Sequence, residues 1–201
     1  MIEIVRNIIF NVLVALYQPF GVALIVTILL MVLYMYMEEY SLKDIVRRWV
    51  KNFKTNARFR HICVLNFYTF MILFRMLLNR NIWEHPLSDV IGIWGLYNSE
   101  GELTTEVLEN LVLFVPFTVL LLWNFQEKII GQSVRLFMTL RKAIEIVFLF
   151  SSMIEFLQLF LRIGTFQLSD LFYNTLGGLI GGFIYWCGYK ITHRNKKEIL
   201  Q

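Results

Sequence analysis

The chain has 201 residues, of which 57% are hydrophobic, 16% aromatic and only 17% charged. Soluble domains carry about 45–50% apolar and about 25% charged residues, so one core of this size cannot bury so much apolar material. With 3 prolines, 2 cysteines and a net charge of +4, the chain is neither disordered nor a disulfide or zinc scaffold. The composition predicts an all-α integral membrane bundle.

Residues 7–37 contain no charge. As one helix they would reach about 46 Å, against about 30 Å of hydrocarbon. The excess, with the break at Gln18-Pro19-Phe20-Gly21, predicts a short lead-in helix followed by a first span over Pro19–Met37. A cleaved signal peptide is the alternative, disfavoured by the length of the run and by the lack of a small-residue cleavage site.

Next comes a basic segment. Leu42, Ile45, Val46, Trp49, Val50 and Phe53 fall at helical spacing, while Lys43, Arg47, Arg48, Lys51 and Lys54 take the other face. Ser41 and Asp44 resemble a capping box. Such a helix is expected to lie on the cytoplasmic interface, its cations over anionic headgroups. Lipid accounts for the cations, so no nucleic-acid partner is expected.

Four further spans are predicted at about His61–Asn79, Asn110–Gln126, Ala143–Leu161 and Leu171–Tyr189. The fifth holds Gly177, Gly178, Gly181 and Gly182, which suit close helix contact. Orientation follows from lysine and arginine in the connections. Residues 38–60 carry seven: Lys43, Arg47, Arg48, Lys51, Lys54, Arg58 and Arg60. Residues 80–109 carry Arg80 against Glu84, Asp89, Glu100, Glu102, Glu106 and Glu109. The third connection is basic again, the fourth has Arg162 alone, and the tail ends in Lys190, Arg194, Lys196 and Lys197. The alternation predicts a multi-pass cell-membrane protein with five spans, its N-terminus outside and its C-terminus cytoplasmic. Glu145, beside Arg141 and Lys142, reads as their counter-charge.

Polar residues inside spans are expensive and mark functional sites. Ser151, Glu155, Gln158 and Arg162, spaced by four, three and four, make one stripe on the fourth helix, and Asp170, Asn174 and either Gly177 or Gly178 make another. Glu109 and Asn110 open the third span, and Arg75 and Arg80 close the second. In the predicted orientation all of them lie toward the outer face.

These residues also carry a resemblance. Glu109-Asn110 with Leu-Phe-Val-Pro-Phe, Ser-Ser-Met-Ile-Glu-Phe-Leu-Gln at 151–158, Arg162, and Leu-Ser-Asp-Leu-Phe-Tyr-Asn-Thr-Leu-Gly-Gly at 168–178 are similar to the VanZ-like family. A teicoplanin-resistance protein is that family's namesake. The resemblance covers about residues 61–189, leaving 1–60 as an N-terminal membrane segment with the basic helix and 190–201 as a basic cytoplasmic tail. It departs from the usual pattern at Phe117-Thr118, where members commonly have a small residue and glycine. It implies a ligand site at Arg80, Asn110, Glu155, Gln158, Arg162, Asp170 and Asn174, with Arg75 the alternative to Arg80. It also implies an envelope role in low-level glycopeptide resistance.

Three mechanisms suit this pattern. An outer pocket could bind or shield a lipid headgroup, a lipid-linked cell-wall precursor or the antibiotic, its arginines holding an oxyanion. An intramembrane enzyme could use Glu109, Glu155 and Asp170 on a hard cation or as acid and base. A small lipid transporter is the third. The pattern assigns no cofactor or metal, and no histidine joins the cluster.

Overall fold

The computed structural model describes residues 2–36, 41–78, 82, 84–97, 100–101 and 104–199. Seven helices run through them: α1 (Ile2–Tyr17), α2 (Phe20–Tyr36), α3 (Leu42–Thr55), α4 (Ala57–Leu73, continued by a π-helical turn over Phe74–Leu78), α5 (Glu106–Ile129), α6 (Leu136–Leu161) and α7 (Leu168–Ile199). The only β pairing among the described residues is an isolated bridge between Ile82 and Ile163.

The break expected at Gln18-Pro19 separates α1 from α2. Among the described residues, three helical stretches are long and apolar enough to cross a membrane: Ala57–Leu78, Glu106–Ile129 and Leu136–Leu161. Phe20–Met35 is apolar but shorter. α7 is the longest helix, but glycine, tyrosine and Asn174 dilute its apolar character. It runs unbroken into the segment read as a separate tail. Met37, Asn79 and Glu102 lie outside the described residues.

Hydrogen bonds fix the directions of the helices. Asn110 of α5 meets Asp170 of α7 near both N-termini, and Gln126 meets Tyr185 further along. α5 and α7 are therefore parallel. Gln158 near the end of α6 reaches Met76 at the end of α4, while Asn124 of α5 donates to the carbonyl of His61 at the start of α4. α4 and α6 thus run opposite to α5 and α7.

α7 joins the bundle through two interleaved glycine pairs. Gly177 and Gly181 lie against the backbone of α5 at Leu111 and Val115, and Gly178 and Gly182 lie against Val147 and Ala143 of α6. Small residues four apart let helix backbones approach closely, which supplies packing where lipid offers no hydrophobic drive. Thr118, at the position that departs from the family pattern, sits over Gly181 and bonds back to the Phe114 carbonyl. The core beside this seam is Leu65, Ile72, Met76, Leu113, Phe114, Phe117, Val147 and Ile154.

A second cluster joins α2, α3 and α4. Ile45 is fully buried among Met31, Met35, Phe59 and Cys63, with Trp49 packed at its side. The predicted apolar face of α3 is thereby divided. Ile45 faces protein, while Val46, Val50 and Phe53 stay exposed. The Ser41 side chain makes no capping bond, so the expected capping box does not form. Glu145 does bridge Arg141 and Lys142, at 2.7 and 2.8 Å.

Candidate functional site

Polar side chains from α4–α7 meet at one end of the bundle, where α5 and α7 begin and α4 and α6 finish. Asn110 donates to Asp170 Oδ1 at 2.7 Å, and Asn174 donates to Ser151 Oγ at 2.8 Å. Gln158 donates to the Met76 carbonyl at 2.7 Å. Glu155 accepts the backbone N–H of Gln167 at 3.0 Å through Oε2. Glu155, Gln158, Asn174 and Ser151 have no exposed surface, and Asn110 and Asp170 are almost as buried. Buried polar groups are costly unless bonded, and this network bonds one to the next.

A second chain of bonds lies beside the first. Glu109 pairs with Arg75 of the π-helical turn and accepts from Thr105, which in turn accepts from Asn11 of α1. This ties the lead-in helix to the start of α5. The extra residue of a π turn locally re-aims a helix, and here that turn carries both Arg75 and the Met76 carbonyl.

The loop after α4 roofs this end. Phe166 and Leu168 donate backbone N–H groups to the carbonyls of Pro86 and Val90, each at 2.9 Å. Gln167 donates to Asp89 Oδ2 at 3.0 Å. Trp94 lies over Phe172 and Tyr173, with ring centroids 5.3 and 6.0 Å away. Gly92, at φ +71°, sits so close to Ser169 that any side chain there would collide with its hydroxyl.

Of the seven residues expected in the site, Asn110, Glu155, Gln158, Asp170 and Asn174 come together. Arg80 lies outside the described residues. Arg162 leaves the stripe, because α6 stops at Leu161 and Arg162 adopts a left-handed conformation, φ 54° and ψ 39°. Its N–H bonds to the Leu159 carbonyl at 3.3 Å, and that of Ile163 bonds to Gln158 at 3.0 Å. This is a Schellman closure with arginine where glycine is usual. Arg162 is exposed.

Sequence reading missed Gln167, Ser169, Thr105 and Asp89. The polar run Gln167-Leu-Ser169-Asp170 ahead of α7 was a usable signal for the first two. Asp89 carried none, being one acid among six. Several buried polar atoms of the network have no hydrogen-bond partner among the described residues: Gln158 Oε1, Gln167 Oε1, Ser169 Oγ and Asn174 Oδ1. Among the described residues, no group of three or more His, Cys, Asp and Glu side chains is placed to hold a metal ion.

The outer flanks of α2 and α6 are exposed and apolar, at Ile25, Leu29, Leu33, Leu149, Phe156 and Phe160 among others. Apolar flanks around a polar interior at one end define a helical membrane protein. The profile of the VanZ/LLP1 family matches residues 20–189, and the chain belongs to that family. The match takes in α2 and α3 as well as the four helices of the polar site. The chain is 31% identical over 94 residues to "Protein VanZ" of Enterococcus faecium, covering 47% of this chain and 51% of that one. It therefore spans about half the length of that curated relative. No solved structure matches.

Proposed function

We propose that this is a cell-envelope membrane protein that lowers susceptibility to teicoplanin-type glycopeptides. Its polar end would bind or shield a lipid headgroup, a lipid-linked cell-wall precursor or the antibiotic. The observation that carries this reading is the buried meeting of Asn110, Glu155, Gln158, Asp170 and Asn174, with unbonded acceptors on Gln158 and Asn174 and with an exposed Arg162 closing the helix that carries Glu155 and Gln158. A site with spare acceptors inside and a cation outside suits an anionic ligand with amide or hydroxyl groups. The family's namesake supplies the phenotype.

Arg162 separates function from folding. A non-glycine residue in the left-handed region costs about 1–2 kcal/mol, so Arg162→Gly should raise the melting temperature. If the guanidinium contacts the ligand, the same variant loses the resistance that the native chain confers on a susceptible host. Full resistance in Arg162→Gly would overturn a ligand role for this side chain. Glu155→Gln should also lose resistance while keeping its yield of folded protein. Parallel loss of both would mark Glu155 as a packing residue.

The same reading takes the helices as five passes, counting α2 and α7, with the polar site outside and α3 on the cytoplasmic leaflet. The lysine and arginine alternation supports it. In a Cys63→Ala/Cys187→Ala background, cysteine at Ser88 should label from outside and cysteine at Ser133 from inside. Labelling of both from one side would refute this topology.

A further inference from the structure

At the far end of the bundle from the polar site, α2, α3 and α4 enclose an open cleft of about 1030 Å³. One wall of its mouth is α3, where Arg47 and Lys51 lie one turn apart and Arg48 stands beside them. Arg58 of α4 completes the rim. Among the described residues, every charged side chain lining the cleft is a cation. Arg47, Lys51 and Arg58 are exposed and have no carboxylate partner among the described residues.

Deeper in, the lining changes character. Leu30, Tyr34 and Met35 of α2 face Phe59 and Ile62 of α4, and the groove continues as far as Asn66. From Arg58 to Asn66 the rise along α4 is about 12 Å, enough for a headgroup region and the first part of an acyl chain. The Asn66 amide lies at the apolar end and, among the described residues, donates only to the Met31 sulfur at 3.4 Å.

We infer that this cleft is a binding site for one anionic phospholipid. Its phosphate lies among Arg47, Lys51 and Arg58, and an acyl chain follows Leu30, Tyr34 and Ile62. The inference is independent of the polar site and of what that site binds. General attraction of a basic helix to an anionic surface would need only the cations. The cleft adds an apolar groove that starts where the cations end, which selects a molecule bearing both parts.

Native mass spectrometry of the full-length protein in detergent tests this with dioleoyl phosphatidylglycerol, dioleoyl phosphatidylcholine and inorganic phosphate as probes. One phosphatidylglycerol should be retained about tenfold more tightly than phosphatidylcholine, and phosphate alone should not be retained. Cations near a headgroup add to its retention, so the triple change Arg47→Gln, Lys51→Gln and Arg58→Gln should weaken retention at least about tenfold. Ile62→Trp, which fills the groove and removes no charge, should weaken it too. Changing Arg135, Arg141 and Lys190 to Gln removes as much charge from α6 and α7, away from the cleft, and should leave retention unaltered. Equal retention of the two lipids, equal loss in both triple variants, or phosphate held as firmly as the lipid would each overturn the site. Should the first triple variant fail to fold, the lipid comparison and Ile62→Trp still decide.

Discussion

Gly177→Ala should lower the melting temperature sharply, and Gly188→Ala should not. A Cβ at Gly177 would fall on the carbonyl oxygen of Leu111, and one at Gly181 would come within 2.5 Å of that of Val115. Both obstacles are helix backbone, so α5 and α7 must separate along their whole seam. Overpacking of this kind costs about 1–3 kcal/mol per site, and the double variant Gly177→Ala/Gly181→Ala should lose most of its folded protein. Gly178 meets the Val147 side chain instead. That side chain is fully buried and stiff at χ1, so Gly178→Ala should fall between the extremes. Nothing lies within 4 Å of a Cβ at Gly188, where alanine only improves helix propensity. Thermal melting by fluorescence-detected size exclusion would rank the four. A Gly177→Ala protein that melts with the native one would show that the seam is looser than described.

Asn110→Asp should be the most damaging single change in the polar site. The Asn110 amide lies 2.7 Å from Asp170 Oδ1, in a place almost closed to solvent. Replacing the donor with a second carboxyl group sets two acids together in a buried place, where a charge left without its partner costs about 3–5 kcal/mol. The exchange Asn110→Asp/Asp170→Asn puts donor and acceptor back in reversed order. It should recover part of that loss, and not all, because Asp170 has a further interaction of its own. A double-mutant cycle on yield and melting would measure the coupling. Additive losses in the exchange would show that the two side chains do not act as a pair.

Much of this architecture was legible in the residues, because runs of apolar side chains and the break at Pro19 are local signals. The ends of helices were less so. α5 begins at Glu106 and α6 at Leu136, ahead of the uncharged runs. Acidic groups complement a helix N-terminus, as Glu106 and Glu109 do in α5, so a charge there does not end the helix. The stripe of Ser151, Glu155 and Gln158 was readable from spacing alone. Its extension to Arg162 failed because the arithmetic assumes an unbroken helix, whereas the chain turns left-handed there, two residues before Gly164 at φ +87°. The partner of Glu155 was out of reach for a different reason. A backbone N–H carries no residue label, so the polar run at 167–170 could point to Gln167 but not to its N–H as the partner of Glu155.

The position of α7 has a consequence for how the chain is made. α5 and α6 touch each other far less than either touches α7, yet α7 follows both of them in the chain. Until it arrives, Asn110 lacks Asp170, Ser151 lacks Asn174, and Glu155 lacks the amide of Gln167. A nascent chain that has not yet reached α7 thus carries polar faces that only α7 can quench. A chain cut short before Leu168 would carry those faces permanently, as an unassembled intermediate that membrane proteases are well suited to remove.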